Sequence, residues 1–232
     1  MIAAKGTVTR RAVVAVIATG DEVVMPGEHP NADQIIASNA LGLAAMLDGV
    51  GAEARILPIA RDDEASLHAV FDLAADADLM VTIGGASVGD HDLVAKVAGD
   101  RGLDMAFHKV AMRPGKPLMS GTLDGIPVIS LPGNPVSSIV CGHIFIRPAL
   151  DVLLGLAPQP VARRSAPLLI PLAKNGPREH YMRAMSMPEG VTPHERQDSA
   201  LLTVLAGANA LVVRPPHDPP RDIGDTVDVI DL

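Results

Sequence analysis

A chain of 232 residues, 48% of them hydrophobic, with a mean hydropathy of +0.27, can bury one substantial core or one core plus a small satellite domain. With no Trp, one Tyr and three Phe, that core must be built from Ala, Val, Leu, Ile and the ten Met. A net charge of −8 argues against nucleic acid as the main partner, because phosphate-backbone binding needs a basic stripe, and the single Cys141 rules out an internal disulfide or a multi-cysteine zinc site.

Arg10-Arg11 precedes the apolar run Ala12 to Ala18, but Thr19-Gly20-Asp21-Glu22 ends that run too soon for a twin-arginine signal. No segment is expected to approach the ~18 apolar residues of a membrane span, so the sequence reads as soluble and cytoplasmic. Residues 12–18 are continuously apolar, as expected for a strand covered on both faces. Ser38-Asn39 opens a helical stretch that stops near Gly49 and Gly51. A strand over 52–59, a helix over 63–75 capped by Asp62 or Asp63, and a strand over 79–83 running into Gly84-Gly85 follow. A helix near 91–99 precedes β segments around 105–111, 117–121 and 126–131, the last two joined by the hairpin signal Asp124-Gly125. Pro132-Gly133-Asn134-Pro135 then leads into a long helix to about Leu154. This order predicts an α/β fold with a mainly parallel sheet and helices on both faces.

Ala157-Pro158-Gln159-Pro160 reads as a linker. Beyond it, strand-like runs at 166–172, 180–187, 210–214 and 226–232 dominate, interrupted by one helical stretch over 199–206. The expected division is an α/β domain over 1–156 and a small β-rich domain over 157–232. The second is marginal by core size and expected to dock on a neighbour.

Ligands of open α/β sheets bind beyond the carboxyl ends of the strands, and several polar or glycine-rich segments fall there. Gly84-Gly85, with Ser87, Gly89 and Asp90 beyond, can bring backbone N–H groups close to a phosphate, or can simply make a tight strand–helix turn. Pro132 to Ser137 places a helix start beside the same edge, which is equally an ordinary Pro-rich start capped by Ser137. Glu22, Asp62 and Asp92 offer carboxylates from three loops, which suits Mg²⁺; singly, Asp62 or Asp92 could only cap or start a helix. Lys109, Arg113 and Lys116 stand within eight residues beside Gly115, suggesting anion capture or a cationic guard on a sheet edge.

The stretches TGDE (19–22), the Ser38-Asn39 helix start, RDD (61–63), TIGGASVGDHD (82–92), FHKVAMRPGKP (107–117) and LPGNPVSS (131–138), in this order, resemble the molybdopterin molybdenumtransferase family, which includes the bacterial enzyme and the E domain of gephyrin. QDSALLTVLAGANALVV (197–213) and GDTVDV (224–229) resemble that family's small C-terminal β domain, so the likeness covers about residues 12–232. It implies a Mog/MoaB-like domain that binds molybdopterin. By position, Glu22, Asp62 and Asp92 match carboxylates linked to activity and Mg²⁺. Lys109, Arg113 and Lys116 match basic residues that hold molybdate and the ligand's phosphates. Thr19, Gly20, Asp21, Ser38, Asn39, Gly84, Gly85, Ser87, Gly89, Asp90, Lys116, Pro132, Gly133, Asn134, Pro135 and Ser137 fall in the ligand-binding segments.

The implied reaction inserts molybdate into adenylylated molybdopterin and releases AMP. The resemblance also implies a homo-oligomer, as dimer or trimer. Arg113 stands where the family usually has Lys, and the family's two N-terminal domains have no counterpart here. Two alternatives stay open: a Mog-type molybdopterin adenylyltransferase, and a non-catalytic module that binds molybdopterin or a protein.

Overall fold

A computed structural model describes residues 8–85 and 93–232. β1 (Val13–Ala18), β4 (Glu53–Ile56), β5 (Leu79–Ile83) and β9 (Ile126–Leu131) form the parallel part of a six-stranded sheet, and β8 (Met119–Leu123) and β6 (Asp104–His108) add antiparallel to one side. The order is β4-β1-β5-β9-β8-β6.

The two-residue period of a strand explains the continuous apolar runs. Val14, Val16, Leu79, Val81, Ile129 and Leu131 point to one face, against α1 (Ser38–Gly49) and the long helix that follows β9. Ala15, Ile17, Met80 and Val128 point to the other, against α2 (Glu64–Leu73) and α3 (Leu93–Asp100). Each Val, Leu or Ile buried this way contributes roughly 1.5–3 kcal/mol. The helix starts follow local rules unevenly. Asp63 caps α2 by accepting from the Ser66 amide at 2.7 Å. At α1 the capping position is Ala37, with no side-chain cap, so Ser38 and Asn39 lie inside the first turn.

The helix after β9 comprises α4 (Pro135–Cys141), a π turn over Gly142–Ile146 and α5 (Arg147–Leu153). The 19 residues Pro135–Leu153 do have the length and composition of a membrane span, contrary to the expectation that none would. Val136, Val140, Cys141, Ile146 and Leu150 are nevertheless buried in the shared core, as in the central helix of a globular fold.

After residue 160 the chain builds a second sheet, β10-β14-β13-β11-β12, from Arg164–Pro167, Thr226–Asp231, Ala210–Arg214, Glu179–Met187 and Gly190–Pro193. A bridge between Leu168 and Val191 brings its two ends together around Leu168, Ala184, Val191, Val212 and Val229. Alternate residues Leu211, Val213 and Ile230, with Tyr181, join the first sheet's core beside Cys141 and Leu150. The second sheet is therefore docked through a common apolar core. Two further links cross between the sheets. β7 (Met112–Arg113) leaves the first sheet and pairs with Glu179–His180 of β11, and the Val136 amide donates to the Ser199 carbonyl at 3.1 Å.

Several boundaries differ from the sequence reading. The strand expected over 52–59 stops at Ile56, and the one over 105–111 splits at Lys109, whose φ of 71° breaks the extended backbone. The expected 166–172 strand covers only Arg164–Pro167, and β12, the short ribbon β2 (Val23–Val24) and β3 (Ile35–Ile36) had no periodic signal. The Asp124-Gly125 turn has φ of 51° and 82°, as a tight hairpin requires.

In the second sheet, Arg214 is 2% exposed and Asp218 6%. Asp218 accepts from Arg214 Nε and from Arg221 Nη2 at 2.6 Å, while Arg214 Nη2 also donates to the Pro219 carbonyl at 2.8 Å. The Arg221 bond, followed by that of Arg214, holds the Asp218 carboxyl below its usual range against the opposing effect of burial.

Candidate functional site

β1, β5 and β9 end side by side, and their following residues meet. Thr19 is buried, and Gly84 folds over it with φ 95°, where a Cβ would stand 2.8 Å from Thr19 Oγ1. A Cβ on Gly85 (φ 65°) would run into the Val94 side chain. Both glycines are thus demanded by close approach as well as by dihedral. Gly133 lies against Gly84, and its carbonyl accepts from Asn39 Nδ2 at 2.7 Å, fastening α1 to the loop after β9. Thr19, Glu22, Asn39, Gly84 and Gly133 together line a small cleft of about 60 Å³.

Gly20 and Asp21 hold the neighbouring loops in register. The Gly20 amide donates to the Ala60 carbonyl at 3.1 Å, and Asp21 Oδ1 accepts from the Asp62 amide at 3.1 Å. Arg61 Nη1 braces the turn by donating to the Val23 carbonyl at 3.0 Å. Glu22 and Asp62 therefore sit on adjoining loops. Among the described residues no three His, Cys, Asp or Glu side chains converge to hold a metal. Two carboxylates nonetheless suit Mg²⁺ in kind, since that ion commonly takes one or two of them plus substrate phosphates and water. Asp92, Ser87, Gly89 and Asp90 lie outside the described residues.

The loop after β9 also faces a larger cavity of about 590 Å³ between the two sheets. Arg113, Lys116, Pro132, Asn134 and Ser137 contribute from the part of the chain that builds the first sheet, and Arg178, Glu195 and Gln197–Ser199 from the part that builds the second. Pro135 is the first residue of α4; Asn134 precedes it without a side-chain cap, and the hydroxyl bonds at this start belong to Ser138 rather than Ser137. A neighbouring recess of about 530 Å³ is lined by Lys109, Lys116 and Arg178, so Lys116 and Arg178 belong to both. Ser38 lines neither of these spaces nor the small cleft. The loop after β9 gives Gly133 to the small cleft that holds Glu22 and gives Pro132 and Asn134 to the larger cavity, and Lys109 lines the recess adjoining that cavity.

Among the described residues, none of Lys109, Arg113, Lys116 and Arg178 has a carboxylate within 4.0 Å. Arg178 Nη1 makes one long bond, 3.4 Å, to the Met112 carbonyl. Close by, His180 is 8% exposed, and burial first, then Arg113, Arg183, Arg214 and Arg178, push its pKa down to about 4. The folded state keeps this imidazole neutral where the unfolded chain, titrating near 6.5, binds a proton. Stability should therefore be complete above pH 6.5 and fall as pH drops toward 4, by about 2 kcal/mol at pH 5. Urea titrations at pH 7 and 5 check this, and His180→Gln should show a correspondingly smaller loss.

In the wall of the cavity, a Cβ on Gly115 (φ 111°) would run into Cys141 Sγ and stand 3.0 Å from Met112 Sδ. Gly115→Ala should cost about 1–3 kcal/mol and displace Arg113 and Lys116; unchanged melting and anion affinity would count against it. The buried Cys141 thiol is pushed up to about 12, which makes it a packing group.

The sequence reading found the walls that this cavity takes from the first domain and missed those from the second, Arg178, Glu195, Gln197, Asp198 and Ser199. No local signal marked Arg178, which is half-buried just before β11. The QDS segment carried meaning only through the resemblance.

Two sequence families cover the chain. Residues 15–152 match the family described as "Probable molybdopterin binding domain", and residues 165–232 match "MoeA C-terminal region (domain IV)". "Molybdopterin molybdenumtransferase 2" of Mycobacterium tuberculosis is 37% identical over 220 residues, 90% of this chain and 53% of that protein. The molybdopterin molybdenumtransferase of a Nostoc species is 35% identical over 221 residues, 90% of this chain and 50% of that protein. The chain thus spans about half the length of these relatives. A crystal structure of the "molybdopterin biosynthesis moea protein" of Pyrococcus horikoshii superposes with a TM-score of 0.82 at 29% identity, over 95% of this chain and 54% of that one. By sequence over both its parts and by fold, the chain belongs to the molybdopterin-binding family that contains the molybdopterin molybdenumtransferases.

Proposed function

We propose that this protein acts in molybdenum cofactor biosynthesis, inserting molybdate into adenylylated molybdopterin with release of AMP. The observation that carries the reading is the set of cations Arg113, Lys116 and Arg178, none of them ion-paired among the described residues, around a 590 Å³ cavity that also holds Glu195 and Asp198 and offers the hydroxyls of Ser137 and Ser199. A tetrahedral dianion needs this combination of positive charge and hydrogen-bond donors. Arg113 and Arg178 can each grip two oxygens of the oxyanion, while Lys116, shared with the adjoining recess, supplies a point charge between molybdate and a second anionic group.

In this reading the pterin and its phosphates extend from Lys109 and Lys116 past Asn134 and Gly133 to the cleft at Thr19, Gly84 and Glu22. The backbone can approach a ligand closely there because Gly84 and Gly133 carry no Cβ. Glu22 and Asp62, with Asp92, would hold Mg²⁺, which offsets phosphate charge during loss of AMP. Gathering two anions beside a shared cation lowers the repulsion that otherwise separates them.

The test is AMP release from adenylylated molybdopterin in the presence of Mg²⁺, with and without molybdate. Molybdate-dependent release supports the reading. Release that ignores molybdate, or transfer of AMP from ATP onto molybdopterin, would overturn it.

A further inference from the structure

β6 is the last strand of the first sheet, and among the described residues no strand pairs with its outer edge. Such an edge leaves N–H and C=O groups free to pair with another chain, and monomers usually blunt it with lysine, proline or a covering element. The strand Asp-Met-Ala-Phe-His holds no lysine or proline, and all of it is exposed, whereas at the opposite edge, β4, only Glu53 is. β6 is also held firmly in place. A Cβ on Gly121 of β8 would stand 2.5 Å from the Asp104 carbonyl, and the Lys109 amide donates to the Leu118 carbonyl at 2.7 Å.

A bulge can turn an edge away from partners, but the one in β6 adds apolar surface to it. The register slips between Met105, opposite Gly121, and Phe107, opposite Ser120. Gly121 pairs onward with Val128 and Ser120 with Ile129, whose side chains lie on opposite faces of the sheet. Residues opposite one another share a face, so Met105 extends the face of α3 and Phe107 the face of α4. The two are 44% and 39% exposed. Phe107 reaches back to Phe145, with ring centroids 6.4 Å apart, so two of the chain's three Phe belong to this edge. Phe and Met are the residues enriched where protein surfaces meet.

The charge along the strand selects the partner. Asp104 opens β6, and Lys109 follows His108 at its other end. Two such strands laid antiparallel bring each Asp104 to the other's Lys109, whereas a parallel pair sets like against like. We propose that β6 is a self-pairing edge, through which two copies of this chain join antiparallel about a twofold axis and merge their first sheets into one. The pairing satisfies the open backbone groups and covers Met105 and Phe107 of both copies on the two faces. Strands this short bury less area than a permanent dimer needs, so the association is reversible, with a Kd of about 1–100 μM.

Sedimentation velocity on the whole chain, at concentrations up to about 200 μM, provides the test. Wild type should shift from 24.1 kDa toward twice that mass. Met105→Lys, which puts a charge into the pairing zone, and Asp104→Lys, which sets like charges together, should each weaken dimerisation at least about tenfold, since each change counts twice in a symmetric contact. Lys109→Asp should weaken it as much. Asp104→Lys combined with Lys109→Asp should nevertheless return to within about threefold of wild type, where independent effects would multiply to about a hundredfold loss. Asp104 and Met105 are exposed, so their variants should melt with wild type. A wild type that stays monomeric would overturn the self-pairing edge. So would a dimer that Asp104→Lys and Met105→Lys leave intact, or a charge swap that fails to restore it.

Discussion

Replacing Asp218 with alanine should remove about 3–5 kcal/mol of stability, the cost of leaving a buried cation without its counter-ion. Arg214 is almost wholly buried and directs its Nε at Asp218; its remaining bonds, to the carbonyls of Pro219 and Ala173, neutralise no charge. Arg221 matters less, because it is a third exposed and water can replace its partner. For a chain of this length the loss corresponds to a fall of roughly 6–20 °C in the melting temperature. Asp218→Asn, which keeps an acceptor but not the charge, should lie between wild type and the alanine variant. A melting curve for Asp218→Ala within 2 °C of wild type, about what 1 kcal/mol or less would give, contradicts the assignment.

Arg178→Ala should leave melting nearly unchanged and weaken molybdate or tungstate binding by about 100-fold, the scale of two charge-assisted hydrogen bonds lost at once. The side chain contributes little to folding, since its one bond to the Met112 carbonyl is long. It lines both the large cavity and the adjoining recess, so its removal strips positive charge from each. Arg178→Lys should recover part of the affinity, as a point charge replaces a planar fork. Calorimetry gives the answer directly: equal affinities in wild type and Arg178→Ala would take this residue out of the binding surface.

The parallel scaffold was plain from the sequence because strands buried on both faces leave uninterrupted apolar runs, as at Val13–Ala18 and Leu79–Ile83. The glycines after β5 were equally visible, but their reason was not. That Gly84 must clear Thr19 and Gly85 must clear Val94 is a fact of packing between segments far apart in the chain. Met112–Arg113 read as part of a hairpin edge because its neighbours are in one. Its ladder partner is Glu179–His180, and no local pattern announces a pairing across more than sixty residues. The same blindness hid the walls that the second domain gives to the cavity. Arg183 is fully buried at a position where alternation alone predicts an apolar side chain, and it is there that the local rule fails.

The two-residue strand Met112–Arg113 also sets how the cavity can move. Arg113 rides on the ladder of the second sheet, whereas Lys109 and Lys116 are tied back to the first through the Leu118 and Val110 backbone. Any rocking of one sheet against the other therefore changes the spacing between those cations. A rigid anion spanning them would act as a strut, so that occupancy and the relative attitude of the two halves become a single mechanical variable.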